Sequence, residues 1–406
     1  MRVAVLGAGL QGACTAFALA QHAITVDLFE RNDDAMCGAS GHNEGKLHLG
    51  FVYAADRSLA TARLMMRAAA CFAPNLRRWL GAALDAVAAS SPFHYVVHRD
   101  SLLAPGQVAA HLDACRDLAL TYPNPGGGGY FGADFHAPAR ALADAERAAL
   151  FDDRTVAAAF LTPEIAIDPG VLAALVRHQL RTIPQIRPRY ATRVLSVRPG
   201  GRSVTVEFAH AGARGEEAYD HVVNAAWDGR LAIDETAGIV PERPWLWRVK
   251  HFLRVRATAG AAPVPSATIV LGPFGDVVAY ANGDVYLSWY PESCTVRSAG
   301  IAPPPVDRSP ALAARLRDSM PRALAAVVPS LARLPAGGLS GADIDGGVIF
   351  AWGERDSDVD DPASVLHTRA RIGVHSHGRY HSIDTGKYTT APLFAVEAAE
   401  RIRLLR

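Results

Sequence analysis

A glycine turn between a strand-like run and a helix-like run constrains this chain more than any other feature. The sequence opens MRVAVLGAGLQGACTAFALAQHAITVDLFER. Arg2 to Leu6 is a short apolar run of strand type, and Gln11 to His22 carries Ala, Phe and Leu in the pattern of a helix packed on a sheet. Gly7, Gly9 and Gly12 therefore fall at a strand-to-helix turn. Thr25 to Glu30 is a second apolar strand, and its final acid stands 23 positions after Gly7. A carboxylate that accepts hydrogen bonds from an adenosine ribose is expected at roughly 20 positions. The three glycines serve different ends. Gly7 permits the tight turn, Gly9 lets backbone approach a pyrophosphate, and Gly12 lets the helix lie close to the strand. Leu10 and Gln11 open the helix, whose free N–H groups and partial positive charge suit an anion. Glu30 disfavours a 2′-phosphate by repulsion and hence NADP, and Arg31 after it is a further candidate for cofactor contact. FAD and NAD both fit the turn.

A chain of 406 residues suggests two domains, or one with a large insertion. The 41 basic and 40 acidic residues leave a net charge of +1, so there is no electrostatic footprint for nucleic acid or an anionic membrane. No run approaches the roughly 20 apolar residues of a membrane span. The first strand begins at residue 2 with no signal peptide before it, and the expected location is the cytoplasm. Five cysteines, Cys14, Cys37, Cys71, Cys115 and Cys294, are scattered singly without a C-x-x-C. That pattern argues against a disulfide framework or a zinc site and predicts buried free thiols.

The stretch GASGHNEGKLHLGF, Gly38 to Phe51, is too polar and glycine-rich for core and reads as a loop with a purpose. A helical pattern runs from Ser58 to Leu84, with Leu59, Ala62, Leu64, Met65 and Ala69 spaced for burial. Asn124-Pro125 and Gly126 to Gly129 read as a surface loop. Asp168 is placed to cap a helix that starts at Pro169 and ends near Leu180. Thr192 to Arg198 and Ser203 to Phe208 are strands joined by Pro199-Gly200-Gly201, and Tyr219 to Trp227 is a buried strand running into a small-residue turn. From His251 to Tyr290 the pattern becomes antiparallel, with Asn282-Gly283 as a two-residue hairpin signal between 276–280 and 285–290. Ser309-Pro310 starts a further helix, a glycine-rich segment spans Gly337 to Gly353, and the chain closes on a helix near Leu393 to Arg406.

Four blocks, Val3 to Glu30, Ala39 to Gly50, Glu164 to Leu180 with Tyr219 to Trp227, and Thr385 to Pro392, together resemble the D-amino-acid oxidase, glycine oxidase and sarcosine oxidase superfamily of FAD-dependent oxidoreductases. The resemblance implies FAD and an α/β fold: a discontinuous Rossmann-like FAD-binding domain with a second domain built on an antiparallel β-sheet. The expected division is 1–60, 155–232 and 345–406 for the first and 61–154 and 233–344 for the second. It also implies that Ser40, Gly41, His42, Asn43 and Gly45 lie along the flavin and that the Val194 strand meets the adenine. Gly386, Lys387, Tyr388 and Thr389, in TGKYTTAP, resemble the family's late glycine turn beside the isoalloxazine ring, although that turn is usually richer in glycine. The segment DGGVIFAWGERD from Asp345 also departs from the usual family wording. Some relatives attach the flavin through a histidine, and His42 sits at a comparable place.

A flavin takes a hydride at N5 and gathers negative charge at N1 and the C2 carbonyl, so a cation belongs there. Lys387 is the candidate, with His42 and Lys46 as competing sources. On the hairpin, Tyr286, Ser288 and Tyr290 share one face, and the tyrosines become candidates for the substrate pocket. A carboxylate substrate calls for an arginine fork, for which Arg254, Arg248 and Arg379 all qualify. The catalytic set is then Lys387, Tyr290, Tyr286 and Arg254. No metal is expected: His375, His377 and His381 lack partners of metal-ligand spacing. Asp356, Asp358 and Asp360 begin like a calcium loop that fails at Asp361 and His367. The implied reaction is oxidation of a C–N bond of an amine or amino acid, with O2 or a quinone as acceptor. The alternatives are a 2-hydroxy-acid oxidase or a non-catalytic dinucleotide-binding module.

Overall fold

The computed structural model describes residues 1–123, 129–256, 263–334, 339, 341–353 and 368–405. Most of the loop expected at 124–129, and the acidic run from Asp356 through His367, lie outside the described residues. The opening turn builds a six-stranded sheet in the order Gly373–His377, Tyr380–Asp384, His221–Asn224, Arg2–Leu6, Thr25–Phe29 and Ile186–Arg189. Every pairing is parallel except that between the first two. The chain leaves and re-enters this sheet, so its strands come from distant parts of the sequence. Val3, Ala4, Val5 and Leu6 are almost entirely buried, as a strand covered on both faces must be. The helix Leu10–Ala20 buries Leu10 to Leu19 against it, and Phe17 reaches Trp79 with ring centroids 6.0 Å apart.

A second sheet of nine strands includes Trp245–Val255, Gly275–Ala279, Val285–Trp289 and Asp343–Trp352. It is antiparallel throughout except where Ala267–Val270 runs parallel to His94–His98. Val156–Leu161 pairs with His94–His98 in this sheet, and residue 345 lies inside Asp343–Trp352, so two of the expected domain boundaries fall within or beside elements of the large sheet. That last strand replaces part of the expected glycine-rich segment. Its backbone passes so near its neighbour that a Cβ on Gly346 would stand 2.8 Å from the His251 ring.

Local signals held where chemistry at a single position decides the conformation. The Asp168 carboxylate accepts from Gly170 N at 2.8 Å ahead of Pro169–Thr182, and Ser309 caps Pro310–Ala325. The helix expected over Ser58 to Leu84 is shorter, Ala60–Leu80, with a 3-10 turn at Gly81–Ala86 after it. Asn282-Gly283 does turn a hairpin, but over three residues. Gly283 N donates to Tyr280 O and Tyr280 N to Asp284 O, while Gly283 takes φ of 85° and the Asn282 side chain accepts from Asp284 N. No disulfide joins the five cysteines, but only Cys14 and Cys115 are buried; Cys71 and Cys294 are half-buried and Cys37 is exposed, a correction to the expected burial. No described helix is long and apolar enough to cross a membrane.

The expected histidine cluster divides. His221 and His381, fully buried on adjacent strands, stack with centroids 5.4 Å apart. Arg379 can only donate to His221 Nε2 (3.3 Å). His221 Nδ1 therefore donates to His381 Nε2 (3.1 Å), and His381 Nδ1 donates to Ser376 (2.9 Å). This wiring is complete with both rings neutral. Burial, followed by the adjoining His221 ring and the Arg401 charge, lowers His381 to about 4; burial and Arg379 lower His221 as well. Stability from the pair is full above the unfolded value near 6.5 and is lost as pH falls toward 4. From His381 it is on the order of 3 kcal/mol. Denaturant midpoints measured from pH 7 to 4 should fall steeply in wild type and less in His381→Gln; parallel profiles would overturn this account.

Candidate active site

One cavity of about 520 Å³ runs from the glycine turn to the face of the large sheet, within the usual range for a ligand site. At the turn, Gly7 has φ of +93°, where a side chain is strained, and a Cβ on Gly9 would stand 2.9 Å from Ser40 Oγ. Gly12 lies tighter still, since a Cβ there would stand 1.8 Å from Gly7 O. Ser40 accepts the first free helical donor, Leu10 N, at 2.8 Å. The Glu30 carboxylate accepts from Ala8 N at 2.8 Å and from Asn32 N at 2.9 Å. It also accepts from Asn32 Nδ2 at 2.7 Å, and Glu30 lines the cavity. Thr192, Arg193, Val194 and Leu195 complete this end, and Arg31, paired with Asp228 at 2.7 Å, also lines it. A cradle that only glycine fits, a helix N-terminus and a lining carboxylate together suit the adenosine and pyrophosphate of FAD.

The middle of the cavity is lined by His42, Asn43, Gly386, Lys387 and Tyr388. Both ring nitrogens of His42 are engaged, Nδ1 with Asp345 at 2.7 Å and Nε2 with Cys37 O at 3.1 Å. Neither nitrogen is left aimed at a flavin for covalent attachment. Asn43 turns inward on its own loop, donating to Ala39 O and Ser40 O and accepting from Gly45 N. Gly12, Gly41, Gly45 and Thr389 do not line the cavity. Gly41 and Gly45 let the loop pass within Cβ-excluding distance of Met36 O and Ile167 O. Thr389 Oγ1 accepts from His48 N at 2.9 Å. These four shape the site through its backbone.

The far end belongs to the strand Trp245–Val255. Alternation turns Arg248, Lys250 and Phe252 to the cavity, while Trp247, Val249 and Leu253 pack on the other face. Tyr286 and Tyr290 both line this end, as expected for the hairpin face, with Lys250 Nζ 5.6 and 5.0 Å from their ring centres. Arg254 continues the alternation but lies beyond the cavity. Its guanidinium is bound by Asp168 at 2.5 Å and Asp284 at 2.9 Å, so the expected substrate fork is instead an ion pair that ties the Pro169–Thr182 helix to the sheet. Arg379 is likewise committed to Asp220 O and His221. Only Arg248 of the three reaches the cavity.

Along and just behind the wall runs a buried line of alternating charge, of which Glu44, Lys46 and Lys250 line the cavity and Glu164 and Asp276 do not. Lys46 Nζ lies 3.4 Å from Glu164 and 3.3 Å from Asp276; Lys250 Nζ lies 3.6 Å from both Asp276 and Glu44. Burial acts to raise Asp276, but Lys46 and Lys250 outweigh it and hold the carboxyl at about 2. Burial dominates at Glu164 and raises it despite Lys46. His48 is driven well down by burial and then by Lys387 and Lys46, leaving a neutral imidazole. Lys387 is half-buried, with Nζ 5.9 Å from the Tyr53 ring centre, and is lowered by burial and next by Arg369. Glu44, Tyr53, Lys250, Asp276 and Arg369 are not singled out by sequence pattern. The alternation in RVKHF was a usable signal for Lys250; the others converge only in three dimensions.

None of the curated protein sequences matches the chain. Its fold matches glycine oxidase from Geobacillus kaustophilus with a TM-score of 0.69 at 14% identity, covering 99% of this chain and 95% of that one. L-proline dehydrogenase from P. horikoshii gives 0.65 at 14%, covering 100% and 94%. The dithionite-reduced L-alpha-glycerophosphate oxidase of Mycoplasma pneumoniae, with FAD bound, gives 0.66 at 13%, covering 99% and 94%. The model of the FAD dependent oxidoreductase (DAO) family matches residues 2–366. By that match, over a fold whose glycine cradle and sheet face share one cavity, the chain belongs to the FAD dependent oxidoreductase family.

Proposed function

We propose that the protein oxidises a C–N bond of an amine or amino acid at the far end of the cavity. The observation that carries the reading is the continuity of a single cavity from a dinucleotide cradle to a wall of tyrosines and cations on the large sheet. Relatives named glycine oxidase and L-proline dehydrogenase support amine chemistry. FAD, when bound, takes the hydride from the substrate carbon and gathers negative charge on its ring. Gly7, Gly9, Leu10 and Gln11 would hold its pyrophosphate, Glu30 and Val194 its adenosine, and Ser40, His42, Gly386 and Tyr388 the flavin half. Lys387 supplies the cation for the charge that develops. Phe252, Tyr53, Tyr286 and Tyr290 keep water from the substrate, and Arg248 offers a guanidinium to its carboxylate.

The two sheets would form the flavin and substrate domains. Five cysteines without a disulfide support a reducing compartment such as the cytoplasm; O2 or a quinone would re-oxidise the flavin. Purified protein should be yellow, release FAD on denaturation and bleach anaerobically with an amine or amino acid, with ammonia or a smaller amine as product after hydrolysis. Bleaching by 2-hydroxy acids alone would overturn the C–N reading in favour of C–OH oxidation. A flavin that no substrate bleaches would point to a binding module.

A further inference from the structure

The far end of the cavity holds one carboxylate that receives no hydrogen bond from the described residues. Among those residues, the acids on the cavity wall are Glu30, Glu44 and Asp228, of which Glu30 and Asp228 stand at the adenosine end. Glu44 lies between Asn43 and Gly45. Tyr280 Oη donates to its backbone oxygen at 3.0 Å, which pins this part of the loop against the large sheet. The Glu44 side chain is 19% exposed, and its one charged neighbour at ion-pair distance is Lys250, with Nζ 3.6 Å away. That separation is too long for a hydrogen bond. The two acids outside the cavity are better supplied: Asp276 accepts from Thr268 Oγ1 at 2.9 Å and Glu164 from Leu49 N at 2.7 Å. A carboxylate on a largely buried wall with no donor of its own calls for one from a ligand.

Amine oxidation supplies such a donor. An aliphatic amine is an ammonium at neutral pH, with a pKa of about 10 like that of a lysine side chain. Before a hydride can leave its carbon, one N–H bond must break so that a lone pair returns to nitrogen. A proton acceptor is therefore needed beside the substrate. Burial acts to lower Lys250, but Glu44 leads the neighbours that hold it well above its ordinary value, so it stays a cation. The Tyr286 phenol is held up as well, chiefly by burial. His48 is a neutral imidazole, yet burial and then the charges of Lys387 and Lys46 oppose a proton there. The charge of Glu44 is felt by Lys250, Tyr280 and Tyr286 of the large sheet, by Tyr53 after its own loop, and by Lys387 of the late glycine turn. We infer that Glu44 is the amine subsite: it accepts the N–H of the substrate ammonium and takes its proton. The N–H bond breaks, its electron pair stays on nitrogen, and the proton moves to a Glu44 carboxylate oxygen. The hydride then leaves the carbon for the cofactor, and the proton passes to water when the iminium product departs. The inference rests on the proposed amine oxidation and names the residue that selects an amine at that site.

Two ligands that differ only in the amine test the contact on the FAD-loaded protein. The first, 2-aminoisobutyrate, has no hydrogen on its α-carbon and cannot be oxidised; the second is isobutyrate. Titrated against the oxidised flavin spectrum, 2-aminoisobutyrate should bind about tenfold to hundredfold more tightly, the range of one charge-assisted contact. Glu44→Gln should remove that advantage at unchanged FAD content and leave isobutyrate binding where it was. Glu44→Asp should restore part of the advantage. The second readout is pH dependence, with glycine, sarcosine and both enantiomers of alanine and proline as reductants under anaerobic conditions. In Glu44→Gln, which must take the scarce free base, the apparent dissociation constant should rise about tenfold for each pH unit below the pKa of the amine, and in wild type much less. Equal binding of the two ligands by wild type, or an amine preference and pH profile unmoved in Glu44→Gln, would overturn the inference and leave the amine reading standing. The same losses in His48→Gln but not in Glu44→Gln would overturn it in favour of His48. Bleaching by lactate and by no amine would overturn the amine reading itself.

Discussion

A Gly12→Val protein is expected to purify without FAD and with a disrupted turn, the largest effect of any single substitution at the cofactor end. A Cβ at Gly12 would stand 1.8 Å from Gly7 O and 2.9 Å from Gly7 C. Both are backbone atoms, so no side-chain rotation relieves the clash, and the helix Leu10–Ala20 must lift from the sheet. That helix buries ten consecutive residues, Leu10 to Leu19. Lifting it costs several kcal/mol, a large share of the roughly 5–15 kcal/mol that holds a typical domain together. Gly9→Val should separate binding from folding. Its nearest neighbour is the Ser40 hydroxyl at 2.9 Å, which can rotate aside, so the fold survives while the approach to the pyrophosphate is blocked. Circular dichroism and the FAD-to-protein ratio check both: native dichroism without FAD in Gly9→Val, and loss of both in Gly12→Val. Gly12→Val protein carrying a full complement of FAD would sink the account of the turn.

Lys387→Met should keep FAD, lower its reduction potential and slow anaerobic reduction on the order of 100-fold, about 3 kcal/mol of barrier. Lys387 stands in the Gly386 turn, where φ of +64° aims the chain at the cavity. Its ammonium is held beside the Tyr53 ring without a carboxylate partner among the described residues. A cation with no internal counter-charge is available to charge that appears only during reaction. Lys46 is the contrasting case, because Glu164 and Asp276 already neutralise it. Lys46→Met should therefore disturb stability through the uncompensated Glu164, Asp276 keeping Lys250 at 3.6 Å, while leaving the potential near wild type. An unchanged potential and rate in Lys387→Met, with both lost in Lys46→Met, would assign the cation to the earlier loop. The site also holds Lys387 below the ordinary lysine value. Reduction should accordingly slow as pH rises through its lowered pKa, and that limb should vanish in Lys387→Met.

The cofactor end of the site was legible in the sequence because local backbone chemistry builds it. Gly7, Gly9, Gly12 and Glu30 lie within one strand-turn-helix-strand unit, and each must be that residue whatever the rest of the chain does. The caps at Asp168 and Ser309 and the turn at Gly283 were legible for the same reason. Tyr286 and Tyr290 could be placed on one face because side chains alternate along a strand. The same alternation holds for Arg248, Lys250 and Phe252, yet it also admitted Arg254. Whether a residue on the right face reaches the cavity depends on what stands opposite it, and opposite Arg254 stand Asp168, 86 positions away, and Asp284. The strand over Asp343–Trp352 escaped because Gly346 and Gly347 weaken its pattern, and pairing with Trp245 through Arg254 along its whole length supplies what propensity does not. The pairing of charges along the cavity was least visible of all. Coulomb interactions depend on distance in space rather than along the chain, so only the folded protein could decide that Lys46 and Lys250 meet Glu164, Asp276 and Glu44.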